Sequence, residues 1–499
     1  MVNDDNEVDV EELQGRLICA ACIGDNYLKS EVERIGEDGT CFYCEEDGKT
    51  ISLDDLAGYV GTAFEQHYHR TPIDPEGVEC IMVKEGGHWE RHGEQAAYAI
   101  AEAAEIADHA AEDVRRILCE RHYDFDNAAM GEESEFDEEA HYEASRVEDY
   151  ELQAEWQHFQ QSLKTESRLF NRGAEATLGS IFENLDAHKT HDGRTAIVDA
   201  GSGLEIGALY RARAFQSEDK LEHALARPDI ELGSPPPRHA VAGRMNSRGI
   251  AVFYGATDPD VALAETRPPV GSKVAVGRFE IIRKLRLLDI EVLRAVYVEG
   301  SIFDSGFLAR LEKAKFLRTV SNRISAPVMP DDELFEYLVT QAIADYLAGR
   351  NEPGIDGIIY PSVQNGAGKK NVVLFHKAAR VENLDLPPGT EIRAHLWQHD
   401  EDGSSPDYTV YEETPPVKEA AKKADEDDCF LPAFSPLPST TSHDDAREAT
   451  LRLDVKSVCV HHVRNVTYGK ESFEVQRHRS EKCEAKKGLR GFVWVKVVV

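Results

Sequence analysis

Apolar residues in the first 190 positions recur at helical spacing. Each stripe repeats every three or four residues, which places its members on one face of an amphipathic helix. The stripes are Leu53, Leu56, Val60 and Phe64; Ile100, Ala104, Ala107, Ala111, Val114 and Leu118; and Leu152, Trp156, Phe159 and Leu163. The second stripe predicts one long, alanine-rich helix from Glu94 to Cys119. Residues 51–190 are therefore expected to form a helical N-terminal domain.

From about residue 196 the pattern changes to short runs rich in β-branched and aromatic residues, separated by turns. The runs are TAIVDA, GALYRARAF, GIAVFYGA, KVAVGRFEI, LRLLDI, DGIIYPS and NVVLFH. Helical spacing interrupts them near Val261 and from Glu333 to Leu347. The pattern predicts an α+β domain over residues 196–385. A polar, proline-rich linker or insertion follows at 386–447, and alternation in 448–499 predicts strands that complete the domain.

Composition and charge narrow the class of protein. The chain has 499 residues, enough for two to four domains, and its net charge at pH 7 is −36. This acidity argues against a broad nucleic-acid surface, which needs clustered lysine and arginine. No apolar run reaches the length of a bilayer, and the acidic start, MVNDDNEVDVEE, is unlike a signal peptide. We expect a cytoplasmic protein with no membrane partner.

Four of the nine cysteines form two CxxC pairs, Cys19 with Cys22 and Cys41 with Cys44. Each pair can present two thiolates to one tetrahedral ion, and the eighteen-residue spacer is long enough to fold back. The pattern predicts a four-cysteine zinc ribbon within residues 1–50, after an acidic tail. Four thiolates leave no position for water, so the zinc is expected to be structural.

A compact unit from Gly243 to Pro269 carries three polar residues of different chemistry, Arg244, Tyr254 and Glu265. The sequence predicts a strand over Gly249 to Gly255, then a helix that begins at Asp258 and Pro259. Tyr254 would end the strand and Glu265 would lie on the helix, where clefts often open. The alternative is a partly buried tyrosine beside a surface ion pair.

A second stretch, GIDGIIYPSVQNGAGKKNVVLFHK, places two apolar strands around a turn-rich loop. The loop and its flanks hold Ser362, Asn365, Lys369 and Asn371. Such loops present backbone N–H groups and hydroxyls to phosphates. The glycine and serine frame of a Walker loop is missing, and the chain has no GxSxG or HExxH motif.

Three stretches resemble RES domains in order and character: LYRAR, GRMNSRGIAVFYGATDPDVALAETR and QAIADYLAGRNEPGIDGIIYPSVQNGAGKKNVVLF. This resemblance implies a core like the ADP-ribosyltransferase fold and cleavage of NAD at the nicotinamide bond, by hydrolysis or phosphorolysis. Carried over by position, the family's Arg, Tyr, Glu and Ser fall on Arg244, Tyr254, Glu265 and Ser362. Arg211 and Asn371 are expected to assist in binding NAD.

The cysteine pairs and the alanine-rich helical region resemble the N-terminal HEPN-linked domain that accompanies some RES domains. Many HEPN proteins are ribonucleases that use Arg and His, and RRILCERH offers Arg116 and His122. Ile117 stands where those enzymes carry a polar residue, so this helix end is interpreted as structural.

The resemblance predicts an NAD-degrading toxin or defence effector, with NAD as substrate, inorganic phosphate as a second substrate if cleavage is phosphorolytic, and structural zinc. An antitoxin or regulatory protein and a second copy of the chain are the partners it suggests. Two alternatives stay open: transfer of ADP-ribose to a macromolecule, and a HEPN-type ribonuclease or scaffold with an inactive RES domain.

Overall fold

A computed structural model describes most of the chain. It covers residues 8–123, 133–167, 170–326, 328–329, 331–350, 352–362, 368–400, 403–415, 445–467 and 469–477. The helices in these ranges are Val10–Gln14 (α1), Asn26–Ile35 (α2), Leu53–His67 (α3), Val78–Lys84 (α4), Ala96–Ala104 (α5), Asp108–Arg121 (α6), Tyr150–Thr165 (α7), Arg172–Ile181 (α8), Glu218–Ala226 (α9), Pro228–Glu231 (α10), Pro259–Glu265 (α11), Ile290–Arg294 (α12), Phe307–Ser325 (α13) and Glu333–Gly349 (α14).

The strands form one large sheet and three small ones, so the fold is mixed α+β. They are Leu17–Cys19 (β1), Glu37–Thr40 (β2), Asp47–Ser52 (β3), Tyr68–Arg70 (β4), Glu94–Gln95 (β5), His141–Ala144 (β6), Ile197–Ala200 (β7), Ala208–Phe215 (β8), Phe253–Ala256 (β9), Lys273–Ile281 (β10), Leu285–Asp289 (β11), Gly357–Pro361 (β12), Lys370–Leu374 (β13), Glu391–Asp400 (β14), Gly403–Glu413 (β15) and Leu451–His462 (β16).

The N-terminal part builds one apolar core from α1 to β6, which also includes Phe303 from the second part of the chain. Buried residues of the cysteine-bearing segment, such as Ile18 and Cys41, share this core with α3, α5 and α6. The small sheets β1-β3-β2 and β4-β6-β5 flank it. The cysteine segment and the helices are therefore packed together and do not form separate cores.

The prediction of one long helix over residues 94–119 is wrong, because the structure has two helices, α5 and α6. Glu105 adopts a left-handed conformation, φ 51°, and ends α5. The N–H groups of Gly24 and Asp25 bond to the carbonyls of Glu105 and Ala104. These tertiary bonds satisfy the helix end, so the alanine pattern alone could not locate the break.

The second part is organised by an eight-stranded sheet of order β16-β10-β8-β9-β13-β12-β11-β7. Its strands pair antiparallel except β11 with β12, which run parallel. The β9 strand is shorter than the predicted Gly249–Gly255 run. Apolar residues alternate along these strands between two cores, so the sheet is covered on both faces.

Helices α7, α8, α13 and α14 pack on one face of the sheet. Trp156 and Phe159 of α7 lie in the same core as Phe316 of α13 and Val373 of β13. The pattern of short runs did not predict α13, although Phe316, Leu317, Val320 and Ile324 are buried at helical spacing. This helix and α14 form the wall beside the candidate site described below.

Within the segment expected as a linker, β14 and β15 pair as a hairpin. Leu396 is 2 % exposed and joins the core on the sheet's other face. Strand β16 pairs with β10 at the edge of the large sheet. Residues 416–444 and 478–499 lie outside the described residues. Along the described ranges no helix combines the length and apolar character needed to span a bilayer.

Candidate active site

A strand, a turn and a short helix position Tyr254 and Glu265. Asp258 begins α11 by accepting hydrogen bonds from the N–H groups of Asp260 and Val261, and Pro259 follows at the first helical position. Val261 and Ala262 are buried and fix the helix on the sheet. Glu265 is the last residue of α11, and its side chain is exposed to solvent.

Two side chains from neighbouring strands hold the carboxylate of Glu265. Ser362 Oγ donates to Glu265 Oε1 over 3.0 Å, and Asn371 Nδ2 donates to the same oxygen over 2.7 Å. Both donors are buried, with Ser362 7 % and Asn371 3 % exposed. Oε2 accepts no hydrogen bond within the described ranges, so this oxygen is available to a ligand.

The sheet places two tyrosines beside this carboxylate. Asn371 pairs with Tyr360, and Val373 pairs with Tyr254. Because alternate residues of a strand share a face, Tyr254, Tyr360 and Asn371 lie on the same side of the sheet. Burial raises the pKa of Tyr360, Tyr254 and Glu265 raise it further, and Arg244 lowers it. The electrostatic neighbours of Tyr360 thus include three predicted site residues, Tyr254, Glu265 and Arg244, together with Tyr337.

Tyr360 was not among the residues predicted from the sequence. It lies in the run DGIIYPS, two positions before Ser362, and resembles an ordinary strand aromatic. The only local indication of the sheet face on which Tyr360 lies was the alternation from Ile358 through Tyr360. The residues that lie beside Tyr360 depend on the order of the strands in the sheet, which the sequence pattern did not predict.

Arg244 is held in a tightly bonded loop between β8 and β9. Its Nη1 donates to the carbonyl of Ile324 over 2.5 Å, and its own carbonyl accepts from Thr340 Oγ1 over 2.6 Å. Gln341 Nε2 donates to the carbonyls of Gly243 and Asn246. The helices α13 and α14 therefore fix both the backbone and the guanidinium of Arg244.

The hydroxyl of Tyr254 bonds to the same loop. It accepts from the N–H of Met245 over 3.0 Å and donates to Asn246 Oδ1 over 2.9 Å. Burial raises the pKa of Tyr254 to about 12, so the hydroxyl is protonated at neutral pH. Gly243 packs so closely that an added Cβ would lie 2.6 Å from this hydroxyl. Tyr254 thus positions the loop that carries Arg244.

Arg211 lies on β8 next to the strand that carries Tyr254. Its Nη1 donates to the carbonyl of Tyr254 over 3.4 Å, and its guanidinium lies 5.1 Å from the ring centre of Phe253. Burial lowers the pKa of Arg211 to about 10, which still leaves it charged at neutral pH. The guanidinium has no carboxylate partner within the described ranges, so its charge is not neutralised there.

The two lysines that follow the loop between β12 and β13 form ion pairs with aspartates. Lys369 Nζ lies 3.1 Å from Asp258 Oδ1, and Lys370 Nζ lies 2.7 Å from Asp289 Oδ2. These pairs join the loop's end to the start of α11 and to β11. Asn365 lies outside the described residues. Of the residues predicted for the site, Glu265, Ser362 and Asn371 are in direct contact.

The four N-terminal cysteines are close enough together to hold a metal ion. The Sγ atoms of Cys19, Cys22, Cys41 and Cys44 all lie within 4.8 Å of one another. Cys19 and Cys44 are 3.6 Å apart, and Cys22 and Cys41 are 3.8 Å apart. A tetrahedral ion with bonds of about 2.3 Å needs sulfur atoms about 3.8 Å apart. The donor set and its spacing therefore fit a closed thiolate site.

Arg116 and His122, the residues weighed as a ribonuclease pair, have separate structural contacts. Arg116 Nη2 donates to the carbonyl of Val8 over 2.8 Å. The ring of His122 packs against Phe136 with 5.5 Å between centres. These contacts agree with the interpretation of this helix end as structural.

Comparison with known families agrees with the motifs. The family model of the RES domain matches residues 208–397, which contain Arg211, Arg244, Tyr254, Glu265, Ser362 and Asn371. A second model, HEPN/RES N-terminal domain 1, matches residues 34–176. Residues 208–397 therefore form a RES domain and residues 34–176 match a HEPN/RES N-terminal domain, which confirms the resemblance. No curated protein matches it.

Proposed function

We propose that this protein degrades NAD by cleaving the bond between nicotinamide and ribose. The observation that carries the proposal is the carboxylate of Glu265, anchored through one oxygen by Ser362 and Asn371 and open to ligand through the other. It lies within the RES domain match, and the resemblance to that family implies consumption of NAD. An ADP-ribosyltransferase-like binding mode for NAD is part of this proposal.

Charge development in the reaction explains the residue types. When the C1′–N bond breaks, its electron pair goes to the pyridinium nitrogen, neutral nicotinamide leaves, and the ribose becomes an oxocarbenium ion. Oε2 of Glu265 would stabilise this cation and hold the ribose hydroxyls. Because Oε1 already has two donors, the carboxylate is oriented before the substrate arrives.

The remaining residues would bind the rest of the dinucleotide. Arg244 and Arg211 carry the positive charge that a pyrophosphate requires. Tyr360, on the same face as Asn371, offers an aromatic ring to the cationic nicotinamide. The hydroxyl of Tyr254 is already used by the Arg244 loop, so its part would be positioning together with ring contact.

The oxocarbenium ion can be captured by either of two nucleophiles. Water gives ADP-ribose and releases a proton, whereas inorganic phosphate gives ADP-ribose 1″-phosphate. Ser362 lies against Glu265 and would help to position the incoming oxygen. Loss of NAD by either route would stop growth, so we propose that the protein acts as a toxin or defence effector, restrained by an antitoxin or regulatory protein.

The cysteine cluster would hold zinc as a structural ion. Cys19, Cys22, Cys41 and Cys44 supply four thiolates, which close the coordination sphere. Cys19 and Cys41 are buried in the N-terminal core, so the ion would stabilise that core. It lies outside the RES domain match and would supply no step of the reaction.

Nicotinamide release from NAD tests the function. The purified chain is expected to release nicotinamide, and Glu265→Gln to lose about a hundredfold in rate because one charge-stabilising group is removed. Glu299→Gln, at an exposed position outside this cluster, is the matched control and should keep full activity. Reactions with and without phosphate separate the two nucleophiles. Undiminished release by Glu265→Gln would overturn the assignment of Glu265.

A further inference from the structure

Helix α13 is shared by the two parts of the chain. It begins at Phe307 and ends at Ser325, so its 19 residues span about 28 Å. Its buried residues Phe316, Leu317, Val320 and Ile324 lie in the core on one face of the large sheet. Phe303, just before the helix, is 6 % exposed and belongs to the buried cluster of the N-terminal part. One helix therefore connects the N-terminal core with the sheet that carries the candidate active site.

Apolar and aromatic contacts hold the start of α13 on the N-terminal core. Ile302 packs against the same buried cluster that contains Phe303. The ring of Phe307 is buried and lies 6.0 Å from the ring of His67 in α3. The N–H of Phe307 donates to the carbonyl of Asp304, which closes the turn before the helix. The first turn of α13 is therefore fixed by side chains that pack in the N-terminal part.

Polar bonds tie the rest of α13 to the start of α7. Lys315 Nζ donates to the carbonyl of Val147 and to Glu148 Oε2, each over 2.7 Å. Near the end of the helix, Arg323 Nη2 donates to Gln153 Oε1 over 3.3 Å. All three acceptors fall within the match to the N-terminal domain. That domain therefore contacts α13 at its start, at its middle and in its last turn.

The last turn of α13 contacts Arg244. Arg244 Nη1 donates to the carbonyl of Ile324 over 2.5 Å. The last four carbonyls of a helix have no partner within it, and the negative end of the helix dipole favours a cation. The guanidinium of Arg244 therefore caps the C-terminus of α13, while the side chain of Ile324 is buried in the core. The orientation of Arg244 depends on where this helix ends.

We propose that the N-terminal domain positions Arg244 for NAD through α13, with Phe303 as the positioning residue at the far end of the helix. Because a helix moves as a rigid element, a shift of its start displaces the carbonyl of Ile324 and the guanidinium bonded to it. The inference rests on the proposed function, in which Arg244 binds the pyrophosphate. By linkage, bound NAD should stabilise the packing of Phe303 by the same factor.

Calorimetric titration of the full chain with NAD tests the positioning, with Glu265→Gln as the parent so that turnover is suppressed. Phe303→Leu keeps an apolar side chain but removes the ring, and it should raise the dissociation constant of NAD about fivefold. Phe473→Ala, at a position that is 84 % exposed, is the control and should leave this constant unchanged. Equal affinity of the parent and Phe303→Leu would overturn the proposal. In the active protein, Phe303→Leu should raise KM for NAD and leave kcat nearly unchanged, because Glu265 is untouched.

A double substitution shows whether the effect of Phe303 passes through Arg244. In an Arg244→Ala background, Phe303→Leu should change the dissociation constant of NAD by less than about twofold, since the group that it positions is absent. If Phe303→Leu weakens NAD binding equally with and without Arg244, the effect is on the fold in general and the proposal is rejected.

Lys315→Gln provides a second test at a side chain that is 39 % exposed, where the fold is not at risk. It removes the ion pair with Glu148 and should raise the dissociation constant of NAD about twofold to threefold. Lys220→Gln, exposed on α9, is the control and should have no effect. An unchanged affinity in Lys315→Gln would contradict the role assigned to α13.

Hydrogen exchange of the full chain gives a measurement that needs no NAD. The N–H groups of Gly243 and Asn246 bond to each other's carbonyls within the Arg244 loop. Phe303→Leu should speed their exchange at least about threefold and leave that of Val373 in β13 unchanged. Loop exchange identical to that of the parent would overturn the proposal. If no variant binds NAD, the proposed function fails, whereas loop exchange that depends on Phe303 would still establish the link through α13.

Discussion

Asn371 donates its side-chain amide to Glu265 Oε1 over 2.7 Å, from a strand that does not neighbour α11 in sequence. The two residues are 106 positions apart, and Asn371 is 3 % exposed. A neutral amide can orient a carboxylate without cancelling its charge, whereas a lysine would form an ion pair. In the proposed reaction, this arrangement would hold Glu265 in place without neutralising its carboxylate when the ribose becomes cationic.

Asn371→Asp is expected to reduce nicotinamide release by about thirtyfold to a hundredfold. The substitution replaces the donor with a second carboxylate 2.7 Å from Glu265, which disfavours the ionised form that the reaction needs. A pH–rate profile should show activity moving to higher pH, because the like charge raises the pKa of the pair. Asn322→Asp, exposed on α13, should leave the profile unchanged.

Gly243→Ala is expected to destabilise the Arg244 loop by about 1 to 3 kcal/mol. The added Cβ would lie 2.6 Å from the hydroxyl of Tyr254, which is itself bonded to Met245 and Asn246. In a Tyr254→Phe background the same change should cost less, since the hydroxyl is gone. Urea unfolding of the four proteins measures this coupling, and strictly additive effects would contradict it. Gly349→Ala, where a Cβ meets nothing within 4 Å, is the control.

The helix and strands that carry the site residues could be predicted from the sequence. Which of these elements are adjacent in the fold could not. Asp258, Pro259 and the apolar residues after them predicted α11, and the structure has that helix. By contrast, Glu265 meets Ser362 and Asn371 only because β9, β13 and β12 are adjacent in the sheet. Strand order depends on tertiary packing, and no local period encodes it.

The same distinction explains the residues that sequence reasoning missed. Gln341 and Thr340 lie in an amphipathic helix that was predicted, yet their bonds to the Arg244 loop span more than 90 positions. Tyr360 occupied an ordinary strand position. The break between α5 and α6 depends on Gly24 and Asp25, whose N–H groups meet that helix end only in the folded protein. In each case a tertiary contact decided the outcome.

The stability of the N-terminal core is expected to fall as the pH is lowered from 7.5 to 5.5. Burial lowers the pKa of His67, which is 8 % exposed, and its Nε2 has no hydrogen-bond partner within the described ranges. The unfolded chain therefore binds a proton near pH 6.5, whereas the folded chain binds it only at a lower pH. This contribution to stability is present above pH 6.5 and is lost as the pH falls below that value.

Thermal unfolding at both pH values should show this loss as a lower midpoint at pH 5.5. His67→Phe keeps a ring against Phe307, which lies 6.0 Å away, and should reduce the dependence on pH. His69→Phe, at an exposed position on β4, is the control because that side chain is solvated. An identical pH dependence in His67→Phe and the parent would contradict the role of His67.

Removal of the proposed zinc ion is expected to unfold the N-terminal core while the eight-stranded sheet persists. Cys19 and Cys41 belong to the N-terminal core, whereas Glu265 and its partners lie on the large sheet. The purified chain should release one zinc ion when its thiols are modified, and Cys44→Ser should release much less, since a closed site needs all four thiolates. Cys80 is a cysteine outside the cluster whose thiol bonds to the carbonyl of Pro75, so Cys80→Ser should release the full amount of zinc.

Full zinc content in Cys44→Ser would contradict a four-thiolate site. Loss of nicotinamide release in step with loss of zinc would show that the two domains depend on each other.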